Sequence, residues 1–351
     1  MNNQLHYIGV CHEIANLTER AEFSLSHEEK VILRSRLINE FNIKGVLFLF
    51  TCNRAEIYFE STHVSAAFMG KYLENFIKEI RPHTKLNSGL LKEIDGTLEV
   101  ANRLVHVSNG LHSAIKGDRQ IVEQVRKAYK ESLGYGQQGS LLERAIQGAF
   151  RCHKRLRNET NYCEGWPSIS NTVISLIKSH LKKPDGKKQL LLIGAGEMIR
   201  DLIPHLVKWD GAKISITNRS FDKALKLAHL HQIESLDWQL VDGQKFDAYD
   251  IIITAVSDCK HLVHKIKYNS KKRLLIDMGV PVNISPELKN ENNHLLTMDD
   301  IANCNNEFLP QSCYDMVVIE NILTEELNKF EHYLRLKMTR TAVKQDSDLL
   351  F

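Results

Sequence analysis

Residues 189–199 read QLLLIGAGEMI, and they determine the fold class of the chain around them. The run from Leu190 to Ile193 is continuously apolar, as expected for a parallel strand that is buried on both faces. A glycine-containing turn follows at once, and the residues after it begin a helical pattern. Strand, glycine turn and helix in this order are typical of the first unit of a dinucleotide-binding sheet.

Three more apolar runs follow at the spacing of a repeated strand–helix unit. They lie at residues 213–217, 251–256 and 274–277. Alternation of strands with segments of helix length predicts a doubly wound parallel sheet of Rossmann type.

The chain before this sheet shows a different pattern, which predicts an α+β domain. Helical spacing over Gln120–Leu133 is one of several long helical patterns there. The short β-like runs that precede these patterns lie at residues 7–10, 46–50 and 57–59.

The end of the chain is predicted to be helical. From about Leu295 the strand pattern stops, and one apolar stripe runs from Ile319 to Leu334. We therefore predict an α/β multidomain chain in three parts. These are an α+β catalytic domain over 1–160, a Rossmann-type nucleotide domain over 161–294 and a helical C-terminal segment over 295–351.

The composition is that of an ordinary globular protein. The 351 residues carry 46 Lys+Arg against 43 Asp+Glu, a net charge of +3, with 43% hydrophobic and 25% charged residues. These values exclude a largely disordered chain, a collagen and a coiled-coil rod, and they neither require nor exclude a nucleic-acid partner. No apolar run reaches the ~18 residues of a membrane-spanning helix, and the N-terminus lacks a secretory signal. We expect a cytoplasmic protein without membrane association.

Neither the cysteines nor the histidines indicate a metal site. The seven cysteines are irregularly spaced and contain no Cys-x-x-Cys pair, which disfavours both a disulfide framework and structural zinc. The histidine pairs His229/His231 and His261/His264 lack cysteine or carboxylate partners at ligand spacing. We expect free thiols and no bound metal.

The glycine turn is the candidate nucleotide site. Backbone N–H groups at such a turn and at the following helix N-terminus can hold a pyrophosphate. The usual third glycine is Ile199 here, so a tight turn without a ligand stays an alternative. The next strand ends at Arg219 rather than at the acid typical of NAD-binding sheets, which favours NADPH. The predicted cofactor residues are Gly194, Ala195, Gly196, Glu197, Met198, Ile199, Asn218, Arg219 and Ser220.

A second candidate site follows the apolar run at residues 46–50. Thr51-Cys52-Asn53-Arg54 stands at the predicted strand end, where a cysteine near a guanidinium can act as a thiolate nucleophile. A single cysteine is more often a buried apolar side chain, and that alternative stays open.

The segment TCNRAEIY, residues 51–58, closely resembles the signature of the glutamyl-tRNA reductase family, whose reaction is the first committed step of five-carbon tetrapyrrole synthesis. The resemblance covers about residues 5–335, and the other blocks follow in the order of the family. They are residues 9–12, 108–113, 117–121, 155–160, 194–199, 218–220, 277–281 and 299–300.

The resemblance implies a reaction in two steps. In that family a cysteine thiolate attacks the ester of glutamyl-tRNA and releases the tRNA, and hydride from NADPH then reduces the thioester to glutamate-1-semialdehyde. By resemblance Cys52 is the nucleophile and Arg54 holds the substrate carboxylate. The other substrate residues that the resemblance implies are Thr51, Asn53, Asn109, Asp118, Arg119, Gln120 and Gln124.

Two positions have exchanged their residue types relative to the family. The family's histidine and the arginine three residues later are Arg103 and His106 here. On a helix these positions share roughly one face. Because an arginine stays protonated, it cannot act as a general base, and His106 is the candidate for that role. We include Arg103 and His106 with Cys52 as catalytic residues, and a packed helix histidine is the alternative for His106.

Further departures keep two other functions open. The family's serine, glutamate and proline are Asn109, Asp118 and Arg119 here, so a reductase of a different aminoacyl-tRNA or acyl thioester is one alternative. The exchanged histidine and a C-terminal region shorter than that of the family leave room for a non-catalytic tRNA- or nucleotide-binding protein. The partners that the resemblance implies are glutamyl-tRNA, a second copy in a homodimer, and an aminomutase that accepts the aldehyde.

Overall fold

The computed structural model describes residues 3–43, 45–114, 118, 120–160, 162, 169–181, 186–209, 211–257, 259–267, 269–307 and 316–348. The chain divides into two units. The first comprises Met1–Ala15, Glu22–Trp166 and Pro310–Phe351, and the second comprises Asn16–Ala21 and Pro167–Leu309. This division differs from the three parts expected from the sequence, because the C-terminal segment is shared between the two units.

Among the described residues of the N-terminal half, four strands and six α-helices form. The strands are β1 (Gln4–Cys11), β2 (Gly45–Phe50), β3 (Arg54–Ser61) and β4 (Lys92–Asp95). The helices are α1 (Leu17–Phe23), α2 (His27–Phe41), α3 (Ala66–Ile80), α4 (Thr97–Ser108), α5 (Gln120–Gly134) and α6 (Ser140–Glu159).

The four strands form an antiparallel sheet in the order β2-β3-β1-β4, and both of its faces are covered. Side chains alternate between the faces of a strand. In β1, Ile8 and Val10 point to a core shared with α2 and α3, whereas Leu5 and Tyr7 point to a core shared with α4, α5 and α6. This burial on both sides explains why the predicted runs are apolar without a clean polar alternation.

The second unit is built on the predicted parallel sheet. Its strands are β5 (Lys188–Ile193), β6 (Ala212–Thr217), β7 (Glu234–Ser235), β8 (Ile251–Thr254), β9 (Arg273–Asp277) and β10 (Asn293–Thr297). Its helices are α7 (Ile169–Leu181), α8 (Glu197–Trp209), α9 (Phe221–His231), α10 (Gln239–Asp242) and α11 (Met298–Glu307). The strand order β10-β9-β8-β5-β6-β7, all parallel, is that of a doubly wound dinucleotide-binding fold.

The predicted fold class is therefore confirmed, with two local corrections. Residues 295–297, where we expected helix to begin, are the end of the sixth strand. The connection from β8 to β9 contains no helix among its described residues. Val263 and Ile284, from loops on either side of β9, pack instead with Phe246 against this sheet.

The last helix, α12 (Met316–Asp348), carries the predicted apolar stripe and packs in the first unit. Its Ile319, Ile322 and Leu323 form a buried cluster with side chains of α4 and α6. Further along, Phe330 enters the main core of the first unit. Within the described ranges, no helix combines the length and apolar character needed to cross a bilayer.

We expect Phe330→Ala to destabilise the first unit. Phe330 is 6% exposed, and truncation of a buried phenylalanine costs about 3–5 kcal/mol through lost burial and the cavity left behind. The matched control on the same helix is Leu336→Ala, because Leu336 is 47% exposed and its change should stay within about 0.5 kcal/mol. Urea unfolding followed by far-UV circular dichroism measures both. Equal stabilities would contradict the packing of α12 in this core.

Candidate active site

Cys52 lies at the tip of the hairpin that joins β2 to β3. The backbone N–H of Thr51 donates to the carbonyl oxygen of Arg54 at 2.8 Å, so Cys52 and Asn53 form the turn. The hydroxyl of Thr51 also accepts from the N–H of Asn53 at 3.1 Å. Cys52 is half-buried, which leaves part of its surface open to solvent. A cysteine buried as apolar filler is therefore the wrong interpretation here.

The segment after β1 lies against this hairpin tip. The register pairs Cys11 with Arg54, so β1 ends where β3 begins. Just beyond the strand, the backbone N–H of His12 donates to the carbonyl oxygen of Asn53 at 3.0 Å. The residues that follow His12 are thereby placed beside the turn that contains Cys52.

A buried carboxylate organises the side chains beneath the hairpin. Glu56 is fully buried, and one of its oxygens accepts from Arg54 at 3.0 Å, from Arg103 at 2.7 Å and from the Tyr7 hydroxyl at 3.1 Å. Its other oxygen accepts from the Tyr58 hydroxyl at 2.9 Å. We call these five side chains the Glu56 cluster.

The Glu56 cluster carries a surplus positive charge. Burial alone would raise the pKa of Glu56, but Arg54 and Arg103 lower it below its ordinary value. Burial alone would lower the pKa of both arginines, and Glu56 raises both instead. Two guanidinium groups thus face one carboxylate, and neither Nε has a hydrogen-bond partner in the described part of the chain. Because an unbalanced buried charge is costly, the cluster favours binding of an anionic group.

The exchanged residues on α4 occupy different environments. Arg103 is 7% exposed, and its guanidinium lies 4.3 Å from the centre of the Tyr7 ring, within the Glu56 cluster. His106 is half-buried, and its Nδ1 lies 2.9 Å from the carbonyl oxygen of Asn102 one turn earlier. The two side chains share the face of α4 that the sequence predicted, and the catalytic role of each stays a prediction.

The other predicted substrate residues lie at helix ends. Asn109 ends α4, and its side-chain amide donates to the carbonyl oxygen of Val105 at 2.7 Å. Asp118 accepts from the N–H of Gln120 at 2.8 Å, where α5 begins. Gln124 is half-buried one turn further on. Arg119 lies outside the described residues, and the substrate roles of the others stay predictions.

The sequence interpretation missed Glu56, Glu13 and His112. Glu56 stands two residues after Arg54 in a strand, and this period-two spacing was a usable signal. Glu13 and His112 are far apart in sequence, yet Nδ1 of His112 lies 3.3 Å from Oε1 of Glu13. The carbonyl oxygen of His112 also accepts a hydrogen bond from Nη2 of Arg54. Sequence spacing offered no signal for that pair.

The glycine turn of the second unit fits a dinucleotide pyrophosphate. Gly194 has φ of +119°, and a Cβ at this position would meet the carbonyl oxygen of Ala255, so only glycine is suited to it. Gly196 is exposed, with open space where its Cβ would be, directly before α8. Ala195 and Ile199 are buried, so only their backbone groups could contact a cofactor at the predicted site. Glu197 is exposed and Met198 is half-buried in the first turn of α8.

The end of β6 presents the predicted cation. Ser220 caps α9, and its carbonyl oxygen accepts from the Asn218 amide at 3.0 Å. Arg219 is exposed, and its Nη2 lies 3.3 Å from the carbonyl oxygen of Ser257, beyond the end of β8. The guanidinium thus lies beyond the carboxyl ends of β6 and β8, the strands on either side of β5, where such sheets bind nucleotides. These residues fit a dinucleotide with a 2′-phosphate.

Comparison with known proteins agrees with both units. Residues 8–160 match the family model described as glutamyl-tRNA reductase, N-terminal domain, and residues 175–304 match the model described as shikimate / quinate 5-dehydrogenase. The glutamyl-tRNA reductase of Christiangramia forsetii is 28% identical over 96% of this chain and 79% of its own length. That of Aquifex aeolicus is 29% identical, over 94% of this chain and 81% of its own length.

A solved structure gives the same result. The glutamyl-tRNA reductase from Methanopyrus kandleri matches 96% of this chain and 82% of its own, with a TM-score of 0.52 and 25% identity. Fold and site together define a reductase-type protein, in which a cysteine-bearing α+β unit is joined to a dinucleotide-binding unit. Over nearly its whole length the chain is similar to glutamyl-tRNA reductases, and residues 8–160 match the model of their N-terminal domain.

We expect Glu56→Gln to destabilise the protein by about 3–5 kcal/mol at pH 7, because it leaves two buried arginines without their counter-charge. The pKa of Glu56 is lowered in the folded protein. Its stabilising effect is therefore complete above the unfolded-state value of about 4.3 and is lost as the pH falls through the folded-state pKa.

Urea unfolding between pH 3 and 7 tests this expectation, since the difference between Glu56→Gln and wild type should shrink as the pH falls. Glu28→Gln, at an exposed glutamate, is the matched control and should follow the wild-type curve. A difference for Glu56→Gln that stays constant with pH would show that the carboxylate charge does not hold the cluster together.

Proposed function

We propose that this protein is an NADPH-dependent reductase that converts glutamyl-tRNA to glutamate-1-semialdehyde through a thioester on Cys52. The observation that carries the proposal is a half-buried cysteine at a hairpin tip, two residues before the buried Arg54, which shares the carboxylate of Glu56 with Arg103. Similarity to glutamyl-tRNA reductases supports the same reaction.

In the first step, the Cys52 sulfur attacks the carbonyl carbon of the ester that joins the glutamyl group to the tRNA. The new C–S bond forms, the C–O bond to the ribose breaks, and the ribose oxygen leaves with a proton. The hairpin tip suits this step because Cys52 is only half-buried, whereas Cys11 and Cys152 are buried. Burial also raises the pKa of Cys152 to about 12, which makes that thiol a poor nucleophile.

The Glu56 cluster supplies recognition of the acyl group. A glutamyl ester keeps one free carboxylate on its side chain, and this charge matches the surplus of the cluster. The charges of Arg54 and Arg103 would suit such a carboxylate, and the Nε atoms of both are buried without a hydrogen-bond partner among the described residues. An aspartyl ester or another acidic acyl group has the same chemistry, so a reductase of a different acidic acyl group is the second candidate.

The second unit supplies the reductant. The glycine turn would hold NADPH, whose chemistry would be to supply a hydride to the thioester carbonyl on Cys52, with the aldehyde released and the thiolate restored. Gly194 and Gly196 would admit the pyrophosphate, and Arg219 with Ser220 would hold the 2′-phosphate. The homodimer and the aldehyde-accepting aminomutase stay predictions.

Glutamyl-tRNA with a radiolabelled glutamyl group tests the acyl step. Without NADPH, the protein should retain label in a bond that hydroxylamine cleaves, and Cys52→Ser should abolish this labelling. Cys259→Ser is the matched control, because Cys259 is also half-buried and lies in the other unit. Labelling by a different acidic aminoacyl-tRNA alone would favour the second candidate. Absence of labelling by either substrate would exclude a reductase of this mechanism.

We expect Arg219→Ala to weaken NADPH binding by about ten- to a hundredfold, the effect of losing a charged hydrogen bond to the phosphate. NADH lacks that phosphate, so its affinity should change less than about threefold. Lys223→Ala, an exposed cation one turn along α9, is the control. Fluorescence titration of both cofactors measures the ratio, and an equal loss for NADPH and NADH would refute this role of Arg219.

A further inference from the structure

Glu13, in the loop after β1, and His112, in the turn after α4, place a carboxylate beside an imidazole. We infer that His112, oriented by Glu13, is the proton-transfer group of the acyl-transfer step at Cys52. The inference rests on the proposed function and deepens it. His112 belongs to neither of the exchanged positions on α4, and sequence spacing gave no reason to choose it.

The contact between the two side chains fixes the orientation of the imidazole. Nδ1 of His112 lies 3.3 Å from Oε1 of Glu13. A carboxylate accepts hydrogen bonds and does not donate them when ionised, so the proton of the neutral ring resides on Nδ1. Nε2 is then left with its lone pair and can accept a proton. Carboxylate–histidine pairs in hydrolases use this arrangement to orient a general base.

Hydrogen bonds connect both sides of the Glu13–His112 pair to the hairpin that contains Cys52. The carbonyl oxygen of His112 accepts from Arg54, the first residue of β3. On the other side, the N–H of His12, directly before Glu13, donates to the carbonyl oxygen of Asn53. The two residues that follow Cys52 are therefore each bonded to one side of the pair. A shift of the hairpin tip would move the pair with it.

The groups that surround His112 keep its imidazole neutral. Burial lowers the pKa of His112 below the ordinary histidine value, and the charges of Arg103 and His106 on α4 lower it further, against the opposing effect of Glu13. Glu13 itself faces His12 and the thiol of Cys11, whose Sγ lies 3.8 Å from its other oxygen. Arg54 contacts His112 through the backbone carbonyl. A neutral imidazole in this setting can accept a proton at physiological pH.

His106 is less suited to the role. Its Nδ1 lies 2.9 Å from the carbonyl oxygen of Asn102, so its ring is held along its own helix, and no carboxylate is bonded to it among the described residues. Its ring centre lies 5.7 Å from that of His112. His106 is therefore the neighbour that modulates the charge of His112, and Arg103 cannot accept a proton at all.

In the proposed step, His112 takes up one proton and then releases it. Nε2 of His112 takes the proton from the Cys52 thiol as the sulfur attacks the ester carbon. The resulting imidazolium, stabilised by Glu13, gives this proton to the ribose oxygen as its bond to the acyl carbon breaks. The tRNA leaves with a free hydroxyl, His112 is neutral again, and the thioester remains on Cys52.

Single-turnover labelling by glutamyl-tRNA without NADPH, measured from pH 5 to 9, tests the inference. General acid–base catalysis contributes about 10²–10⁴ in rate, so His112→Gln should slow labelling by at least about a hundredfold. The wild-type rate should rise with pH through the pKa of His112, and His112→Gln should lack this rise. Glu13→Gln removes the group that raises this pKa, so the rise should move to lower pH.

The alkylation rate of Cys52 by iodoacetamide gives a readout that needs no tRNA. It should show the same pH dependence in the wild type and lose it in His112→Gln. His83→Gln, an exposed histidine of the same unit, is the control and should match the wild type. Circular dichroism verifies that each variant is folded, and His112→Asn replaces His112→Gln if the latter is not.

The outcomes separate this inference from the proposed function. If wild-type protein takes no label from glutamyl-tRNA, the proposed function fails, whatever the variants do. If the wild type is labelled and His112→Gln is labelled at the same rate with the same pH profile, only the inference fails. A hundredfold loss in His106→Gln with none in His112→Gln would overturn it in favour of His106.

Discussion

The buried carboxylate of Glu56 holds together the part of the first unit on which the proposed chemistry depends. It accepts hydrogen bonds from two arginines and two tyrosines that come from β1, β3 and α4. Without it, like charges would face one another inside the protein, at a cost of several kcal/mol. Gly9 stands opposite Glu56 in the sheet, and any Cβ there would collide with the carboxylate stem. Because Gly9 has no side chain, the charged side chains of β3 and α4 have room beside β1.

The same constraint links the cluster to the hairpin tip. Because the side chains of Arg54, Glu56 and Tyr58 alternate to one face of β3, fixing Glu56 also fixes the residue that follows the Cys52–Asn53 turn. Arg54 then reaches from the cluster to the backbone of His112. One network thus connects Glu56, the start of β3 and the turn that contains His112.

The sequence predicted the fold well and the site only in part, for a physical reason. Buried parallel strands such as Leu190–Ile193 are recognisable because their environment is apolar on both faces, and Gly194 is recognisable because its backbone admits little else. The strand at 293–297 was missed because its Asn293, His294 and Thr297 interrupt the apolar run that marked the other strands. Cys52 and Arg54 were found because they stand two residues apart within one short motif. The pairing of Glu13 with His112 depends on tertiary packing across 99 residues of chain, and no local pattern encodes it.

The exchange of histidine and arginine on α4 has a consistent explanation in these contacts. With Arg103 in the cluster, a second cation faces Glu56, and an arginine cannot accept a proton at physiological pH. His106 does not place an imidazole at that position, since its ring is bonded along the helix. The inferred proton-transfer group is instead His112, in the turn after α4, which contacts Glu13 and which a hydrogen bond from Arg54 links to the start of β3. After burial, the charge of Arg103 also lowers the pKa of His112 and so favours the neutral imidazole that a base requires. Arg103 cannot itself act as a base, but its charge favours the neutral form of His112.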